Sequence, residues 1–225
     1  MIFFGFLITL FLFIIFQKLN LKFPIILSVG ICIIIILKIF NISYETYNCS
    51  ATYLSYFIAP ATIALAYPMY KNYHILITNK RILYFSLFLA TVVAMISTYF
   101  CAKLFGADLR VILSLLPKST TLPIALSISK TIGGYGELTA IIVALTGVFG
   151  GVFGHSILKF LKVKNDVAIG VALGSASHVI GTSACANRKK DKQTAASTIA
   201  LIVVGLLSAI IIPVVVKLLD LYFYE

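Results

Sequence analysis

The sequence predicts an all-α, polytopic membrane protein, and two observations carry that prediction. Of the 225 residues, 61% are hydrophobic and only 11% are charged, and the mean hydropathy is +1.08. A soluble core of this size cannot hide so much apolar surface. The apolar residues also fall in long stretches separated by short polar connections. At about 20 residues per crossing, the chain has room for one membrane domain over residues 1–225 and for no separate soluble domain.

Six of the apolar stretches are predicted to cross the bilayer. They are residues 2–16, 24–40, 82–102, 109–131, 138–158 and 194–219. The first of them lacks both the basic start and the Ala-x-Ala-like cleavage site of a signal peptide. It is therefore predicted to be a retained helix.

Two further stretches, residues 52–70 and 167–184, are apolar but interrupted. The first contains Pro60 and Pro68, and the second contains three glycines, Gly170, Gly174 and Gly181. Proline removes a backbone donor and glycine loosens a helix, so such segments persist at membrane depth only where they are buried in protein or line a watery cavity. Both are predicted to be re-entrant or broken segments that line a site.

Basic residues flank the second interrupted stretch on both sides. Lys159, Lys162 and Lys164 precede it, and Arg188, Lys189, Lys190 and Lys192 follow it. Cytoplasmic loops are rich in Lys and Arg, so a hairpin that returns to the cytoplasmic side is predicted there. Counting back through the crossings then places loop 133–137 outside and loop 103–110 inside.

Six spans and two re-entrant segments would give two halves of inverted topology, an inverted repeat of the kind common in secondary transporters. Three basic residues disagree with this topology because it places them outside: Lys71, Lys80 and Arg81. Eight straightforward crossings are therefore the alternative.

Several classes of function are disfavoured. The formal net charge is +11, but Lys and Arg lie in short runs between apolar stretches, so nucleic acid is not a predicted partner. The four cysteines form no CxxC pair and the three histidines are far apart, so neither a metal nor a cofactor is predicted. No hydrolase, metalloprotease or nucleotide motif occurs. Ser177 and His178 are adjacent, and neighbours on a helix point about 100° apart, so an enzyme is not predicted.

The sequence PKSTTLPIA at residues 117–125 is the first candidate site. Lys118 lies within an apolar stretch, where a lysine costs about 2.5 to 3.5 kcal/mol at the bilayer centre. Pro117 and Pro123 free backbone carbonyls. Three hydroxyls can rebond those carbonyls or bind a solute: Ser119, Thr120 and Thr121. The alternative is that the hydroxyls only repair the kink while Lys118 extends to the interface.

The second candidate site is the sequence GSASHVIGTS at residues 174–183, where small residues allow close backbone approach and hydroxyls supply uncharged donors. Its predicted substrate-binding residues are Gly174, Ser175, Ser177, His178, Gly181 and Thr182. The histidine can exchange a proton near neutral pH. A packing or interhelical hydrogen-bond role for it is the alternative. Pro60 and Thr62 in the first interrupted stretch, and Pro123 beside the first site, complete the predicted site.

These motifs resemble the LrgB/CidB family of holin/antiholin-like membrane proteins. The resemblance rests on PKSTTLPIA, on LTGVFGGVFG at residues 145–154, on ALGSASHVIGTS at residues 172–183 and on residues 60–66, and it extends over about residues 50–213. It implies either control of cell lysis and murein hydrolase activity with a small LrgA/CidA-type membrane partner, or transport of small carboxylates. Plastid relatives are similar to a glycolate/glycerate translocator, and bacterial pairs are linked to pyruvate.

The sequence departs from the family pattern at three places. Leu122 replaces a second hydroxyl before the proline, Ala184 replaces a basic residue after the Gly-Thr pair, and residues 188–192 replace an acidic stretch. A basic side chain is the natural partner of a carboxylate. The remaining cationic candidates are Lys118, Lys130, His178 and Arg188.

The predicted function is a carrier for a small monocarboxylate such as pyruvate, glycolate or glycerate, in a bacterial plasma membrane. The alternative is a holin- or antiholin-like regulator that works by oligomerisation. That alternative draws on a face of small residues, Gly147, Gly150, Gly151 and Gly154, which suits close helix contact either between copies or within one chain.

Overall fold

A computed structural model describes residues 3–19, 25–57, 60, 63, 66–71, 73–74 and 80–223. The regular structure in these residues is helical, which confirms the predicted helical membrane bundle. In chain order the helices are α1 (Phe4–Leu19), α2 (Ile25–Ile39), α3 (Tyr44–Ala51), α4 (Ala66–Lys71), α5 (Lys80–Leu104), α6 (Leu109–Leu115), α7 (Leu122–Thr131), α8 (Gly136–Phe160), α9 (Asp166–Asn187) and α10 (Asp191–Phe223), with a 3₁₀ turn at Thr52–Phe57. The chain divides into two compact units, Met1–Ala66 and Tyr67–Glu225.

The first unit packs α1 against α2 and α3. Its core contains Leu12, Val29 and Ile33. The backbone N–H of Gly5 donates to the Ser50 hydroxyl at 2.8 Å, and a side chain at Gly5 would meet the backbone of α3. Glycine therefore lets α1 and α3 approach closely.

In the second unit, α5 and α10 run parallel. Leu83 and Leu87 near the start of α5 share an apolar cluster with Ile199 near the start of α10. Met95, further along α5, clusters with Ile212 in the second half of α10. Both helices therefore begin at the same end of this unit.

Helix α9 is one of four described helices long and apolar enough to cross a membrane, with α5, α8 and Asp191–Leu218 of α10. Its contacts show instead that it folds back as a hairpin of two short arms, as a re-entrant segment would. The backbone leaves helical geometry at Ser177 and His178. Gly174 and Thr182 would lie about 12 Å apart on a straight helix. Both contact Ser197 of α10, and Gly181 lies against the carbonyl oxygen of Leu173.

The two ends of this second hairpin (residues 166–187) therefore lie at the same end of the unit, as its basic flanks predict. A hydrogen bond at its base agrees, because Gln193 in the first turn of α10 donates to the Asp166 carboxylate at 2.7 Å. Gly170 also packs against the Gln193 backbone. The first arm, residues 166–176, thus runs parallel to α10, and the second arm returns antiparallel to it.

The predicted crossing over residues 109–131 is wrong. The structure has two short helices there, α6 and α7, joined by a turn. Arg110 at the start of α6 donates to the Gly133 carbonyl at 3.2 Å and stacks on the Tyr135 ring at 4.2 Å. Ser114 accepts from the Tyr135 N–H at 2.6 Å, and its carbonyl accepts from Thr139 at 2.9 Å. The segment is therefore a first hairpin (residues 109–131) whose two ends lie together.

The two hairpins enter the second unit from opposite ends, because α8 connects the end of the first to the start of the second. One end of the unit thus collects the start of α5, the end of α8 and the base of the second hairpin. Its basic residues are Lys80, Arg81, Lys159, Lys162, Lys164, Arg188, Lys189, Lys190 and Lys192. We call it the basic end. The opposite end has Lys103, Arg110, Lys130 and Lys217.

This arrangement corrects the predicted topology. Loop 103–110 lies at the same end as loop 133–137, not across the membrane from it. Lys80 and Arg81, which the predicted topology placed outside, lie at the basic end with the other cationic loops. The excess of Lys and Arg at the basic end predicts that this end faces the cytoplasm.

Cysteine labelling tests this topology. In a background whose four native cysteines are replaced, Phe105→Cys is expected to react with a membrane-impermeant maleimide in intact cells. Lys162→Cys and Lys189→Cys are expected to react only after permeabilisation. If Phe105→Cys and Lys162→Cys label from the same side, residues 109–131 cross the membrane and the first hairpin is wrong.

Candidate functional site

The second hairpin turns at two buried residues near the middle of α8. His178 has a φ of +41°, a conformation rare for residues with a side chain. Its ring Nε2 lies 3.0 Å from the Val143 carbonyl oxygen of α8. A carbonyl can only accept, so Nε2 carries the hydrogen and donates it. Measured along the axis from the first residue of α8, Val143 lies at about 10 Å and Gly150 at about 21 Å, in a helix about 36 Å long. The turn therefore packs near the middle of α8.

The glycine face of α8 receives this turn. A side chain at Gly147 would meet the His178 ring, and one at Gly150 would meet Ser177. One at Gly154 would meet Leu173, on the first arm of the hairpin. The glycines therefore pack helices within one chain, which is one of the two roles their spacing predicts.

The first hairpin places Lys118 in its turn. Asp108 caps α6 by accepting from the Val111 N–H at 2.7 Å, and buried Pro117 follows the end of that helix. Lys118 lines a cavity of about 490 Å³ between this hairpin, α5 and α8. The cavity is also lined by Ser97, Thr98, Cys101, Phe105 and Ile142. Lys118 therefore lies in an open groove, because the lining includes the exposed residues Ser97, Cys101 and Phe105.

The three hydroxyls beside Lys118 differ in their partners. Ser119 accepts from the Lys118 ammonium at 3.5 Å. Thr120 donates to the Pro117 carbonyl at 3.0 Å, so it repairs the turn. The Thr121 hydroxyl is buried and has no hydrogen-bond partner among the described residues. One hydroxyl is therefore structural, and one is left without a protein partner.

Hydroxyls of the second hairpin mostly stabilise its fold. Ser175 donates to the Ala172 carbonyl at 3.2 Å. Thr182 lies 2.7 Å from the Ser197 hydroxyl and 3.0 Å from the His178 carbonyl oxygen, to which it donates. Gly174 packs closely against Ser197 of α10, and Gly181 packs closely against Leu173 in the first arm of the hairpin. Ser177 and His178 are the predicted site residues that lie at the turn itself.

Both hairpins pack on α8 and on α10. Ile142 of α8 lines the Lys118 cavity, and the next residue, Val143, accepts from His178. On α10, Ser197 contacts the second hairpin and Gly205 contacts Ile124 of the first. The predicted sites around Lys118 and His178 thus approach the middle of α8 from opposite ends.

The predicted site residues Pro60 and Thr62 belong to the first unit, and their part in the site stays a prediction. Pro60 is exposed, and Thr62 lies outside the described residues. In the described ranges, no three His, Cys, Asp or Glu residues are placed to share a metal ion.

Two parts of the site were not predicted from the sequence. Ser97, Thr98 and Cys101 of α5 line the Lys118 cavity, although they lie on a regular helix without Pro or Gly. At the base of the second hairpin, the amide oxygen of Gln193 accepts from His155 Nε2 at 3.0 Å, and its amide nitrogen donates to Asp166 at 2.7 Å. Only the polarity of Gln193 at the start of a long apolar helix could have indicated that role.

A sequence profile of the LrgB-like family matches residues 3–218, nearly the whole chain. The chain belongs to the LrgB-like family. This confirms the resemblance carried by the two hairpin motifs. No solved protein structure matches this LrgB-like chain.

Named bacterial relatives agree with this membership. The chain is 31% identical to the holin-like protein CidB of Staphylococcus aureus strain N315 over 94% of both chains. It is 34% identical to the antiholin-like protein LrgB of Bacillus mycoides over 80% of this chain and 78% of that one. It is 36% identical to YxaC of Bacillus subtilis over 74% of each.

Proposed function

We propose that this protein is a carrier for a small monocarboxylate, of the class of pyruvate, glycolate and glycerate, in a bacterial plasma membrane. The observation that supports it is that two hairpins enter from opposite ends and each packs on α8 and α10, with Lys118 in one turn and His178 in the other. Broken segments of this kind hold the substrate near the midplane in many secondary transporters.

Lys118 is the group proposed to attract the carboxylate. Ala184 stands where relatives in the family pattern have a basic residue, so this chain needs another cation. Lys130 and Arg188 are exposed at the hairpin ends. Lys118 instead faces a cavity large enough for a three-carbon acid, with the Thr98 and Ser119 hydroxyls nearby. A desolvated ammonium binds a carboxylate more strongly than one in water does.

The cavity also indicates a route by which the substrate enters the protein. Its lining extends from Lys118 to Phe105 and Ala107, in the connection at the end opposite the basic end. We infer that solute enters from that end, while the second hairpin, held at its base by Gln193, closes the path toward the basic end. Transport then requires the second hairpin to move relative to α8 and α10.

Uptake of labelled pyruvate or glycolate into vesicles tests the carrier. Wild-type protein is expected to give saturable uptake, measured with and without a small LrgA-type membrane partner. Lys118→Gln is expected to reduce kcat/KM by at least about tenfold, because a hydrogen bond to a charged group contributes about 1.5–3 kcal/mol.

Lys130→Gln is the matched control, since it removes the same charge from the exposed end of α7 and should leave uptake unchanged. No saturable uptake of either acid by the wild type would rule out the substrate class. Equal uptake by wild type and Lys118→Gln would exclude Lys118 from the site.

A second candidate is control of lysis, because the relatives CidB and LrgB carry the names holin-like and antiholin-like. That function would use a homo-oligomer or a complex with an LrgA/CidA-type partner in the bilayer. The glycine face of α8, which such contacts could use, is covered by the chain's own second hairpin. Release of a trapped dye from vesicles without saturable carboxylate uptake would favour this candidate.

A further inference from the structure

The hydroxyl of Thr121 is the most unusual polar group in the first hairpin. Thr121 is only 4% exposed, and its hydroxyl oxygen has no hydrogen-bond partner among the described residues. A buried polar group without a partner costs stability, so its presence requires an explanation. Thr120 beside it is equally buried but donates within the turn.

Thr121 is also the N-cap of α7, a helix of ten residues. A threonine at this position usually accepts from the second or third N–H of its helix. Thr121 makes no such bond, and Pro123 in the first turn has no N–H. Helix geometry leaves the N–H groups of Leu122 and Ile124 without intrahelical acceptors. The first turn of α7 thus has three donors, the Thr121 hydroxyl and these two N–H groups, at the positive end of the helix dipole.

Both sides of this helix start are next to open space. Lys118, three residues before Thr121, lines the 490 Å³ cavity. Pro123 and Ile124 line a second cavity of about 470 Å³ between α7 and α10, together with Ser127 and Pro213. Thr121 and Leu122 line neither cavity, so a small solute reaches the start of α7 only when the turn of the first hairpin opens toward one of them.

We propose that the start of α7 is the subsite for the substrate carboxylate, with the Thr121 hydroxyl and the N–H groups of Leu122 and Ile124 as its donors. This inference rests on the proposed carrier function and assigns which end of the acid binds where. Lys118 attracts the anion from the cavity, and the α7 start fixes its orientation. A helix N-terminus with free N–H groups is a general anion site.

Thr121→Val separates this role from a structural one. Valine has nearly the same shape, and no protein hydrogen bond is lost, so the melting temperature of the purified protein should be unchanged or higher. Thr120→Val loses the bond to Pro117 and should lower it. The KM of Thr121→Val for pyruvate is expected to rise about 10- to 100-fold, as for loss of a hydrogen bond to a charged group. Thr121→Ser restores the hydroxyl and should restore the KM.

Inhibition by pyruvamide, the neutral amide of pyruvate, gives a second measurement. Wild type should prefer pyruvate over pyruvamide as a competitor of labelled uptake, and Thr121→Val should lose most of that preference. An unchanged KM and an unchanged preference in Thr121→Val, with normal wild-type uptake, would overturn the subsite and leave the carrier intact. Absence of saturable uptake by wild type would overturn both.

Discussion

Gly150→Ala is expected to destabilise the protein by at least about 3 kcal/mol, beyond the usual range for an overpacked core. A methyl group at residue 150 would occupy the position of the Ser177 side chain. Rotating Ser177 can move its hydroxyl but not its Cβ, which the methyl group also meets. The turn of the second hairpin must then move away from α8. On the scale of a 225-residue chain, the melting temperature should fall by about 10 °C.

A compensating substitution makes this prediction specific. The three atoms nearest to a methyl group at residue 150 belong to Ser177, so adding Ser177→Gly to Gly150→Ala should recover most of the lost melting temperature. Gly30→Ala is the matched control, because a methyl group there meets nothing within 4 Å. Alanine in that helix should be neutral or stabilising by up to about 1 kcal/mol. A double variant as unstable as Gly150→Ala alone would refute the proposed contact.

The second hairpin could be predicted because its cause is local. Basic residues before residue 166 and after residue 187 require the same side of the membrane, and the glycines and serines between them permit a sharp turn. The position of the turn at Ser177 and His178 could not be predicted. Gly174 and Gly181, the obvious places to break a helix, instead serve as close contacts with α10 and with Leu173.

The first hairpin could not be recognised by length or hydropathy, because a stretch of 23 residues suits one crossing as well as two short arms. Pro117 and Pro123 mark a break without fixing its direction. The contacts that fix it, from Arg110 to Gly133 and from Ser114 to Tyr135, join residues more than 20 positions apart. The discordant basic residues Lys71, Lys80 and Arg81 were the indication in the sequence that the predicted topology was wrong.

The sequence predicted both turns of the site. It did not predict which of their hydroxyl groups bond to the protein and which are left without a partner. Thr120 and Thr182 look like Thr121 in sequence, yet their hydroxyls have protein partners and that of Thr121 has none. The difference depends on which carbonyl lies within reach after the chain has turned. The spacing of hydroxyls along a sequence does not contain that information.

His178→Gln is expected to abolish the dependence of uptake on a pH gradient while leaving the protein folded in the membrane. The glutamine amide can still donate to the Val143 carbonyl, but it cannot take up a proton. In the histidine, Nε2 is committed to that bond, so Nδ1 is the nitrogen left to exchange a proton. One pH unit is worth about 1.4 kcal/mol per proton, or up to about tenfold accumulation by the wild type. Protein-free vesicles correct for diffusion of the neutral acid.

His178→Gly separates the stability contributed by the imidazole ring from the strain of the backbone turn at residue 178. A positive φ costs a residue with a side chain about 1–3 kcal/mol, and glycine adopts it freely. The glycine variant therefore regains backbone stability while losing the bond to Val143 and the packing on Gly147, so its net stability should change little. His178→Ala loses the same contacts and keeps the strain, so it should be the less stable of the two.

Uptake by these variants then assigns the role of the ring. If His178 serves only to pack the turn against α8, the folded glutamine and glycine variants should keep the wild-type response to a pH gradient. If the ring carries protons, both should lose it, although only the glutamine variant retains a donor to Val143. A strained, buried histidine at the point where a re-entrant hairpin meets a glycine face is costly to maintain for packing alone, because glycine would make the same turn without the strain.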